Sequence, residues 1–381
     1  MSALAAVFWV SAGLLVYAQA GYPLALALAA ALVRSRPPAA GAGAPPEVSL
    51  IVPAHDEAAV VAAKVANARA LQWPREALEI VVCSDGSADD TVARARDAGA
   101  DLVLDLPRVG KVRAQDAGVA AARGELLAFS DANSTWDAAA LRELAAAFAD
   151  PQVGYACGQM RFVQAAAGPG ADNQEGLYWR YEMAIRGAES RLRSVTAGNG
   201  GIYAVRREAY LVVDERMGHD LSFPFNMVKR GWRAVYVPAA RATEKMVPSL
   251  DGEFARKRRM MSHAWPIVLR GGMLAPRGYG LRYAWMIASH RLLRYAAPAL
   301  HVLALVSCAL LVAGGRGWVY DACLAAQLVL IAGALAGARV RARPLLVARY
   351  YVLMQAATAA GLWDYLRHGT PAGWSAPEGT R

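Results

Sequence analysis

An aspartate and an asparagine separated by one residue are candidate ligands for a metal ion. Asp131 and Asn133 follow a very apolar segment, and side chains two residues apart in an extended chain point the same way. Their carboxylate and amide oxygens suit the hard cations Mg²⁺ and Mn²⁺. The alternative is a turn followed by a helix cap, which is a common use of Asp and Asn. On these two residues alone, the turn and helix cap is the favoured interpretation.

A second acidic position ends an earlier apolar segment. Asp85 and Gly86 follow the run that ends near Cys83. A carboxylate placed there can accept a hydrogen bond from a nucleobase N–H, and the glycine lets a ligand approach the backbone closely. The alternative is a plain turn in which Asp89 or Asp90 caps the next helix. The residues themselves do not separate these two interpretations.

Two further side chains suit a phosphate group and a proton. Lys111 follows Gly110 at the start of a helical segment, where the lysine and the helix N-terminus would both attract phosphate. Otherwise it is an exposed surface lysine. Asp220 precedes another helical segment and is a candidate general base, with a helix cap as the alternative. Cation, nucleobase, phosphate and proton sites are what group transfer from a nucleotide-linked substrate requires.

Alternating strands and helices must position these residues. Strands are predicted at 48–53, 78–83, 102–104 and 125–130, and helices at 57–71, 89–98 and 111–123. This alternation predicts an α/β domain with a parallel sheet that is covered on both faces. Ligands of such sheets bind beyond the carboxyl ends of the strands, which is where the polar clusters fall.

Apolar segments flank this domain and indicate a membrane protein. The chain is 56% hydrophobic and only 19% charged, and residues 2–33 contain no charge. That segment lacks the basic start of a cleaved signal peptide, so it is predicted to be a signal anchor. The predicted organisation is a transmembrane anchor at 1–36, a catalytic domain at 47–245, interfacial amphipathic helices at 250–294 and a transmembrane region at 295–381. Residues 345–363 contain Arg349 and either span the membrane or lie at its interface.

Charge and its placement predict the partners and the topology. The net charge of +10 fits nucleic acid or anionic lipid, and the apolar segments favour lipid and no nucleic acid. Basic residues stay on the cytoplasmic side. The basic residues that flank the apolar segments are Arg34, Arg36, Arg339, Arg341 and Arg343. We therefore expect a multi-pass protein of the cell membrane, with residues 47–294 cytoplasmic and the N-terminus and loop 316–321 outside.

Taken in order, these motifs resemble the membrane-bound family 2 glycosyltransferases of the exopolysaccharide, poly-N-acetylglucosamine and hyaluronan synthase-like branch. The match runs from residue 48 to about residue 265. The matching segments are Pro53-Ala54-His55-Asp56-Glu57, Ser84-Asp85-Gly86-Ser87, Gly110-Lys111, Asp131-Ala132-Asn133, Gly198-Asn199-Gly200-Gly201 and His219-Asp220. Each motif is weak alone, and their shared order carries the resemblance.

The resemblance implies a GT-A fold, a Rossmann-like domain that binds a nucleotide-sugar, between N-terminal and C-terminal transmembrane helices. It implies inverting transfer from a nucleotide-sugar, with a UDP-sugar favoured, to a polysaccharide or lipid-linked acceptor. Asp131 and Asn133 would hold Mg²⁺ or Mn²⁺, and Asp220 would be the catalytic base. The implied donor-binding residues are Pro53, His55, Glu57, Asp85, Lys111, Asp131 and Arg259. The implied acceptor-binding residues are Gly200, Gly201 and Trp265.

Four departures from the family pattern bear on function. Ser84, Asn133 and His219 each replace an acid of the family motifs. Processive members carry Gln-x-x-Arg-Trp in an interfacial helix, whereas this chain has Arg256-Lys257-Arg258-Arg259-Met260. The arginine is kept and the aromatic platform is lost, unless Trp265 substitutes for it. The same segment also fits a basic helix that rests on anionic lipid.

These departures leave three hypotheses open. The first is an enzyme that builds a surface polysaccharide. The second is an enzyme that adds one sugar to a polyprenyl phosphate or another lipid, which the altered processivity motif favours. The third is a catalytically silent membrane subunit that keeps the fold. Retention of Asp85, Lys111, Asp131, Asp220 and Arg259 argues against the third.

Overall fold

The computed structural model describes residues 2–33, 44–163, 172–245 and 250–370. The strands are β1 (Val48–Ala54), β2 (Leu78–Asp85), β3 (Leu102–Leu106), β4 (Leu126–Phe129), β5 (Thr135–Trp136), β6 (Val153–Val163), β7 (Tyr203–Arg206) and β8 (Arg233–Lys245). The helices are α1 (Ala3–Val16), α2 (Tyr22–Ala31), α3 (Val61–Arg69), α4 (Thr91–Asp97), α5 (Lys111–Ala121), α6 (Ala140–Ala146), α7 (Asp172–Leu192), α8 (His219–Lys229), α9 (Leu250–Leu269), α10 (Leu281–Met286), α11 (Leu293–Ala313), α12 (Trp318–Ala336) and α13 (Arg343–His368).

The first half of the domain is a parallel sheet, as predicted. β1 pairs in parallel with β2 on one side and with β4 on the other, and β2 pairs in parallel with β3. β1 and β2 are fully buried because helices cover both of their faces. Gly118 of α5 packs so closely that a Cβ there would lie 2.6 Å from the Cys83 Sγ of β2. The predicted α/β class is confirmed.

The second half of the sheet changes direction. The strand order is β3-β2-β1-β4-β7-β6-β8-β5, with β7 antiparallel to both β4 and β6. β8 runs parallel to β6, and the two-residue strand β5 pairs antiparallel with β8. The sheet is therefore mixed, and the simple parallel expectation holds only for its first four strands. This arrangement brings the segment after β4 beside the end of β8.

Four helical segments of the described residues are long and apolar enough to cross a membrane. They are Ala3–Ala31, Leu281–Ala313, Trp318–Ala336 and Arg343–His368. The first contains a π-helical turn at Tyr17–Gly21, just before Pro23. Proline lacks an amide hydrogen and crowds the preceding turn, so a wider turn at this point relieves the crowding.

One expected boundary differs in the structure. The sequence predicts that the interfacial helices end at residue 294 and that a separate span begins at residue 295, but Leu281–Ala313 forms one continuous helical segment. Arg294 donates to Glu182 of α7 at 2.7 Å, and Arg291 lies 3.4 Å from the same carboxylate. These arginines are thus paired with a buried acid, so the helix does not need to end at a polar interface to solvate them.

The helix α9 packs along α13 through a charged contact at their surface. Arg258 donates to both carboxylate oxygens of Asp364, at 2.6 and 2.7 Å. Of the residues behind the predicted topology, Arg34 and Arg36 lie outside the described residues. Arg339 and Arg341 are exposed in the connection between α12 and α13, and Arg343 begins α13. The orientation across a membrane remains a prediction.

Candidate functional site

The carboxyl end of β4 meets the N-terminus of α5. Asp131 follows β4, and its Oδ1 accepts from the Lys111 Nζ at 2.5 Å. Gly110 precedes the helix with φ of 92°, a conformation that glycine adopts readily. The helix therefore begins at Lys111. Burial favours the neutral amine, but the carboxylates of Asp131, Asp220 and Glu244 together outweigh this effect and raise the pKa of Lys111. Lys111 is therefore a cation held inside the site rather than an exposed surface lysine.

The turn after Asp131 brings Asn133 to the end of β8. The Asn133 Nδ2 donates to the Glu244 Oε1 at 2.9 Å. Burial and the nearby Asp131 raise the pKa of Glu244 to about 7. Sequence analysis missed Glu244, because it lies 111 residues from Asn133 and only the sheet brings the two together.

A buried lysine donates a hydrogen bond to the same turn. Lys64 of α3 is 3% exposed, and its Nζ donates to the backbone oxygen of Ser134 at 2.8 Å. Burial lowers the pKa of Lys64 to about 7, although Asp131 opposes this shift. Lys64 was also missed, because a single lysine in a helical pattern is normally solvent-exposed.

The donors at this turn fit a divalent cation that is shared with a ligand. Asp131, Asn133 and Glu244 offer two carboxylates and one amide. Within the described ranges, no three His, Cys, Asp or Glu side chains group closely enough to hold an ion by themselves. Mg²⁺ in enzyme sites usually takes one or two carboxylates and completes its shell with substrate phosphates and water. The residues therefore fit Mg²⁺ or Mn²⁺ bound together with a phosphorylated ligand.

Asp220 lies in the first turn of α8 and close to this cluster. Burial raises the pKa of its carboxyl, Lys111 lowers it, and Asp131 adds a further raising effect. The backbone oxygen of Asp220 accepts from the Gly198 N–H at 2.6 Å. This bond joins the candidate base to the glycine loop, so the structure brings Asp220, Lys111 and the loop together.

The glycine loop lies over the turn that carries Asn133. A Cβ on Gly201 would lie 2.7 Å from the Ser134 Oγ, whereas a Cβ on Gly200 would meet no atom of the described residues within 4 Å. The Asn199 Oδ1 accepts from the Arg186 Nη1 at 2.5 Å. Arg186, on α7, is 4% exposed and was also missed by sequence analysis. Gly200 therefore faces open space, and Gly201 is a point of close approach.

His219, which replaces an acid beside the candidate base, is part of an aromatic cluster. It stacks on Phe223 with ring centroids 4.0 Å apart, and its Nδ1 lies 2.8 Å from the Tyr203 hydroxyl. Burial, followed by the charge of Lys111, lowers the pKa of His219 to about 3. His219 is therefore neutral and contributes packing rather than negative charge.

The predicted nucleobase-side residues organise two loops. The Asp85 carboxylate is buried and its Oδ1 accepts from the backbone amides of Val109 and Gly110 at 2.6 and 2.9 Å. Arg108 donates to its other oxygen at 3.0 Å. The His55 Nδ1 lies 2.9 Å from the Asp85 backbone oxygen. Asp85 thus fixes the segment that leads into Lys111, and its contact with a nucleobase remains a prediction.

The remaining members of the first donor segment are buried in the fold. Pro53 lies within β1, paired with Cys83 of β2. Glu57 is 2% exposed, and its backbone N–H donates to the Thr91 hydroxyl at 2.8 Å. These contacts connect the first and second donor segments, which the sequence placed in one site.

Arg259 and Trp265 both lie on α9, but they have different surroundings. Arg259 lines a cavity of 370 Å³ together with Arg258, Ser262 and His368. Trp265 is 9% exposed and packs against Tyr295 with ring centroids 5.9 Å apart. Arg259 therefore lines an open cavity, whereas Trp265 lies inside an apolar cluster.

Comparison with known proteins agrees with this geometry. The family model described as Glycosyl transferase family 2 matches residues 49–212. An uncharacterized glycosyltransferase of Mycobacterium bovis is 30% identical over 223 residues, which cover 54% of this chain and 92% of that protein. An N-acetylglucosaminyltransferase of a Rhizobium species is 26% identical over 240 residues, covering 56% of this chain and 51% of the relative. The chain thus spans about half the length of that relative.

One solved structure resembles nearly the whole chain. It is a mannosyltransferase from Pyrobaculum calidifontis in complex with GDP-mannose and Mn²⁺. The TM-score is 0.73 at 21% identity, over 96% of this chain and 99% of the other. At this identity the likeness establishes the fold, which is GT-A, and the alignment extends over the apolar helices at both ends.

Proposed function

Because the chain belongs to the family 2 glycosyltransferases, we propose that it is an inverting enzyme that transfers a sugar from a nucleotide-sugar at the cytoplasmic face of the cell membrane. A UDP-sugar is the proposed donor, and the proposed acceptor is a growing surface polysaccharide or a lipid-linked molecule. The observation that carries this proposal is the meeting of Asp131, Lys111 and Asp220 at one edge of the sheet.

Each side chain has a role that follows from its position. Lys111, a partly buried cation at a helix N-terminus, attracts the diphosphate of the donor. Asp131 and Asn133 would hold Mg²⁺ or Mn²⁺, which stabilises negative charge on the leaving diphosphate when it is bound. Asp220 accepts the proton of the acceptor hydroxyl, and its bond to the Gly198 amide places it beside the acceptor loop. Gly200 leaves space there for the acceptor.

The apolar helices support the proposed location at a membrane. Four apolar helical segments can hold the enzyme at a lipid surface, and Arg259 lies on a helix packed against the last of them. A lipid phosphate or the donor diphosphate would both suit this arginine. We therefore propose that Arg259 binds one of these two phosphate groups.

Single addition to a lipid-linked acceptor is the second candidate, and one observation favours it. Processive relatives use an aromatic platform, but Met260 stands at that position and Trp265 is packed into an apolar cluster. The ring that the processive pattern has at that position is therefore absent from this chain.

A donor screen tests the proposed function. The full chain, purified in detergent and returned to lipid vesicles, is incubated with single nucleotide-sugars, and release of UDP or GDP is measured. The names of the relatives put UDP-N-acetylglucosamine and GDP-mannose first among the donors. We expect release with a preferred donor, Mn²⁺ or Mg²⁺, and an acceptor, and no release by Asp131→Ala.

Product size then separates the two acceptor hypotheses. A radiolabelled donor should give a ladder of long chains if the enzyme is processive and one glycolipid if it adds a single sugar. Absence of release with every donor, from protein shown to be folded, would refute the proposed function. Full activity in excess EDTA would refute the metal role alone.

A further inference from the structure

The metal site has one acid fewer than its family pattern. Asn133 stands where the second acid is usual, and the remaining acid, Asp131, is paired with Lys111 at 2.5 Å. A neutral ion pair attracts a dication weakly, and the affinity of such sites rises with the number of anionic ligands. An additional anionic oxygen near Asn133 would therefore restore the attraction.

The pairing of strands in the sheet brings Glu244 close to Asn133. β5 pairs with β8 so that Thr135 lies opposite Thr243, and Glu244 is the next residue along β8. The same turn is fixed from the other side, because the Ser134 N–H donates to the Asp131 backbone oxygen at 3.1 Å and Lys64 donates to the Ser134 oxygen. Two backbone constraints and a buried lysine thus hold the Asp131–Asn133 turn against the end of β8.

A direct contact joins the two side chains. The Asn133 Nδ2 donates to the Glu244 Oε1 at 2.9 Å. This bond uses the amide nitrogen of Asn133 and orients the amide, and the oxygen of an amide is the atom that binds a cation. The carboxylate therefore orients one ligand and is itself close enough to be another.

We propose that Glu244 is a ligand of the catalytic metal and supplies from β8 the negative charge that Asn133 lacks. The inference rests on the proposed function, because that function supplies the reason for a metal at Asp131. The ion would take oxygens from Asp131, Asn133 and Glu244 and complete its shell with the diphosphate and water. Metal binding is accordingly expected to be much tighter in the presence of a nucleoside diphosphate.

Mn²⁺ binding to the purified full chain in detergent tests this directly. Free Mn²⁺ is measured by electron paramagnetic resonance during titration, with and without UDP or GDP. Glu244→Gln keeps an oxygen that accepts from Asn133 but removes the charge. It should raise the Mn²⁺ Kd by at least about tenfold, the loss seen even when outer partners of a metal ligand are removed.

The matched variant moves the charge back to the turn. Asn133→Asp should lower the Mn²⁺ Kd, and Asn133→Asp combined with Glu244→Gln should return it to within a few-fold of the wild-type value. Asp131→Ala serves as the control that removes binding. The melting temperature of each variant establishes that it is folded, and the double variant shows that a loss in Glu244→Gln comes from charge rather than misfolding.

The outcomes separate this inference from the proposed function. Wild-type Mn²⁺ affinity in folded Glu244→Gln would overturn the role of Glu244 and assign it to bracing Asn133, with the transferase proposal untouched. Failure of the double variant to recover binding would also overturn it, as would a wild-type chain that binds no Mn²⁺ with either nucleotide. The expected pattern of Mn²⁺ affinities without any sugar transfer would support the metal site and refute the transferase.

Discussion

Side chains of opposite charge lie close together in the site. Asp220 has a raised pKa because burial penalises its charged form more than Lys111 and Arg186 favour it. Lys111 keeps its charge because Asp131 compensates for the same burial. A carboxylate with a raised pKa is a stronger base than an exposed one. Asp220 is therefore suited to accept a proton from a sugar hydroxyl.

The raised pKa of Asp220 predicts the acid side of the pH profile. Only the deprotonated carboxylate can take the proton, so kcat/KM should fall as pH decreases through a pKa above the ordinary value of 3.8. The measurement is kcat/KM against pH at saturating Mn²⁺, which keeps titration of the nearby Glu244 from weakening metal binding. Donor affinity measured over the same range is the control. Constant kcat/KM down to about pH 4 would contradict the role of Asp220.

Helices and strands determine how closely these residues meet. α5 carries Lys111 at its start and packs on β1 and β2 through Gly118, where a Cβ would lie 2.6 Å from the Cys83 Sγ and 2.8 Å from the Ile51 Cγ2. Neither the helix nor the two strands can shift without moving Lys111 relative to Asp131. The close packing of this helix therefore supports the site directly.

Gly118→Ala should destabilise the domain. The added methyl group has no room, and overpacking a core typically costs about 1–3 kcal/mol. Gly187→Ala is the matched control, because Gly187 is also helical and its Cβ would meet no described atom within 4 Å. The control should be neutral or slightly stabilising, since alanine is the better helix former. The melting temperatures of the two variants in detergent test this, and equal values would contradict the packing argument.

The sequence predicts the first half of the domain well and the second half poorly, for a physical reason. β1 to β4 and their helices alternate along the chain, and each polar cluster directly follows its own strand, so local patterns locate Asp85, Lys111 and Asp131. β7, β6, β8 and β5 pair across long stretches of chain, and no local pattern specifies those partners. Glu244, Lys64 and Arg186 reach the site only through such distant contacts, and this is why sequence analysis missed them.

The whole molecule joins the catalytic domain to its apolar helices through buried polar contacts. Tyr22 of α2 donates to the Glu189 Oε1 of α7 at 2.8 Å, and Tyr283 donates to the Val195 backbone oxygen at 2.9 Å. His290 lies 2.7 Å from the same Glu189 oxygen. Because Val195 leads into the glycine loop, the position of the apolar helices bears on the acceptor side of the site.

Membrane topology is the prediction at this scale. Residues 47–294 should be cytoplasmic and the loop at 316–321 outside, because basic residues flank the apolar segments on one side. Arg316→Cys and Arg277→Cys, each in a Cys323→Ser background, are labelled with an impermeant maleimide. Cys83, Cys157 and Cys308 are buried and should stay unlabelled. Intact cells should label only Arg316→Cys; labelling of only Arg277→Cys would reverse the topology.

The central claim is that this chain transfers sugar with Asp220 as its base, and turnover by Asp220→Asn tests it most directly. The asparagine keeps the shape of the side chain but cannot take the proton. The N-cap of α8 is Gly218, so the substitution leaves the helix cap unchanged. With the preferred donor, turnover should fall by ~100- to 10,000-fold while donor binding stays at the wild-type level. Near-wild-type turnover by Asp220→Asn, in protein shown to be inserted in the membrane, would contradict the account.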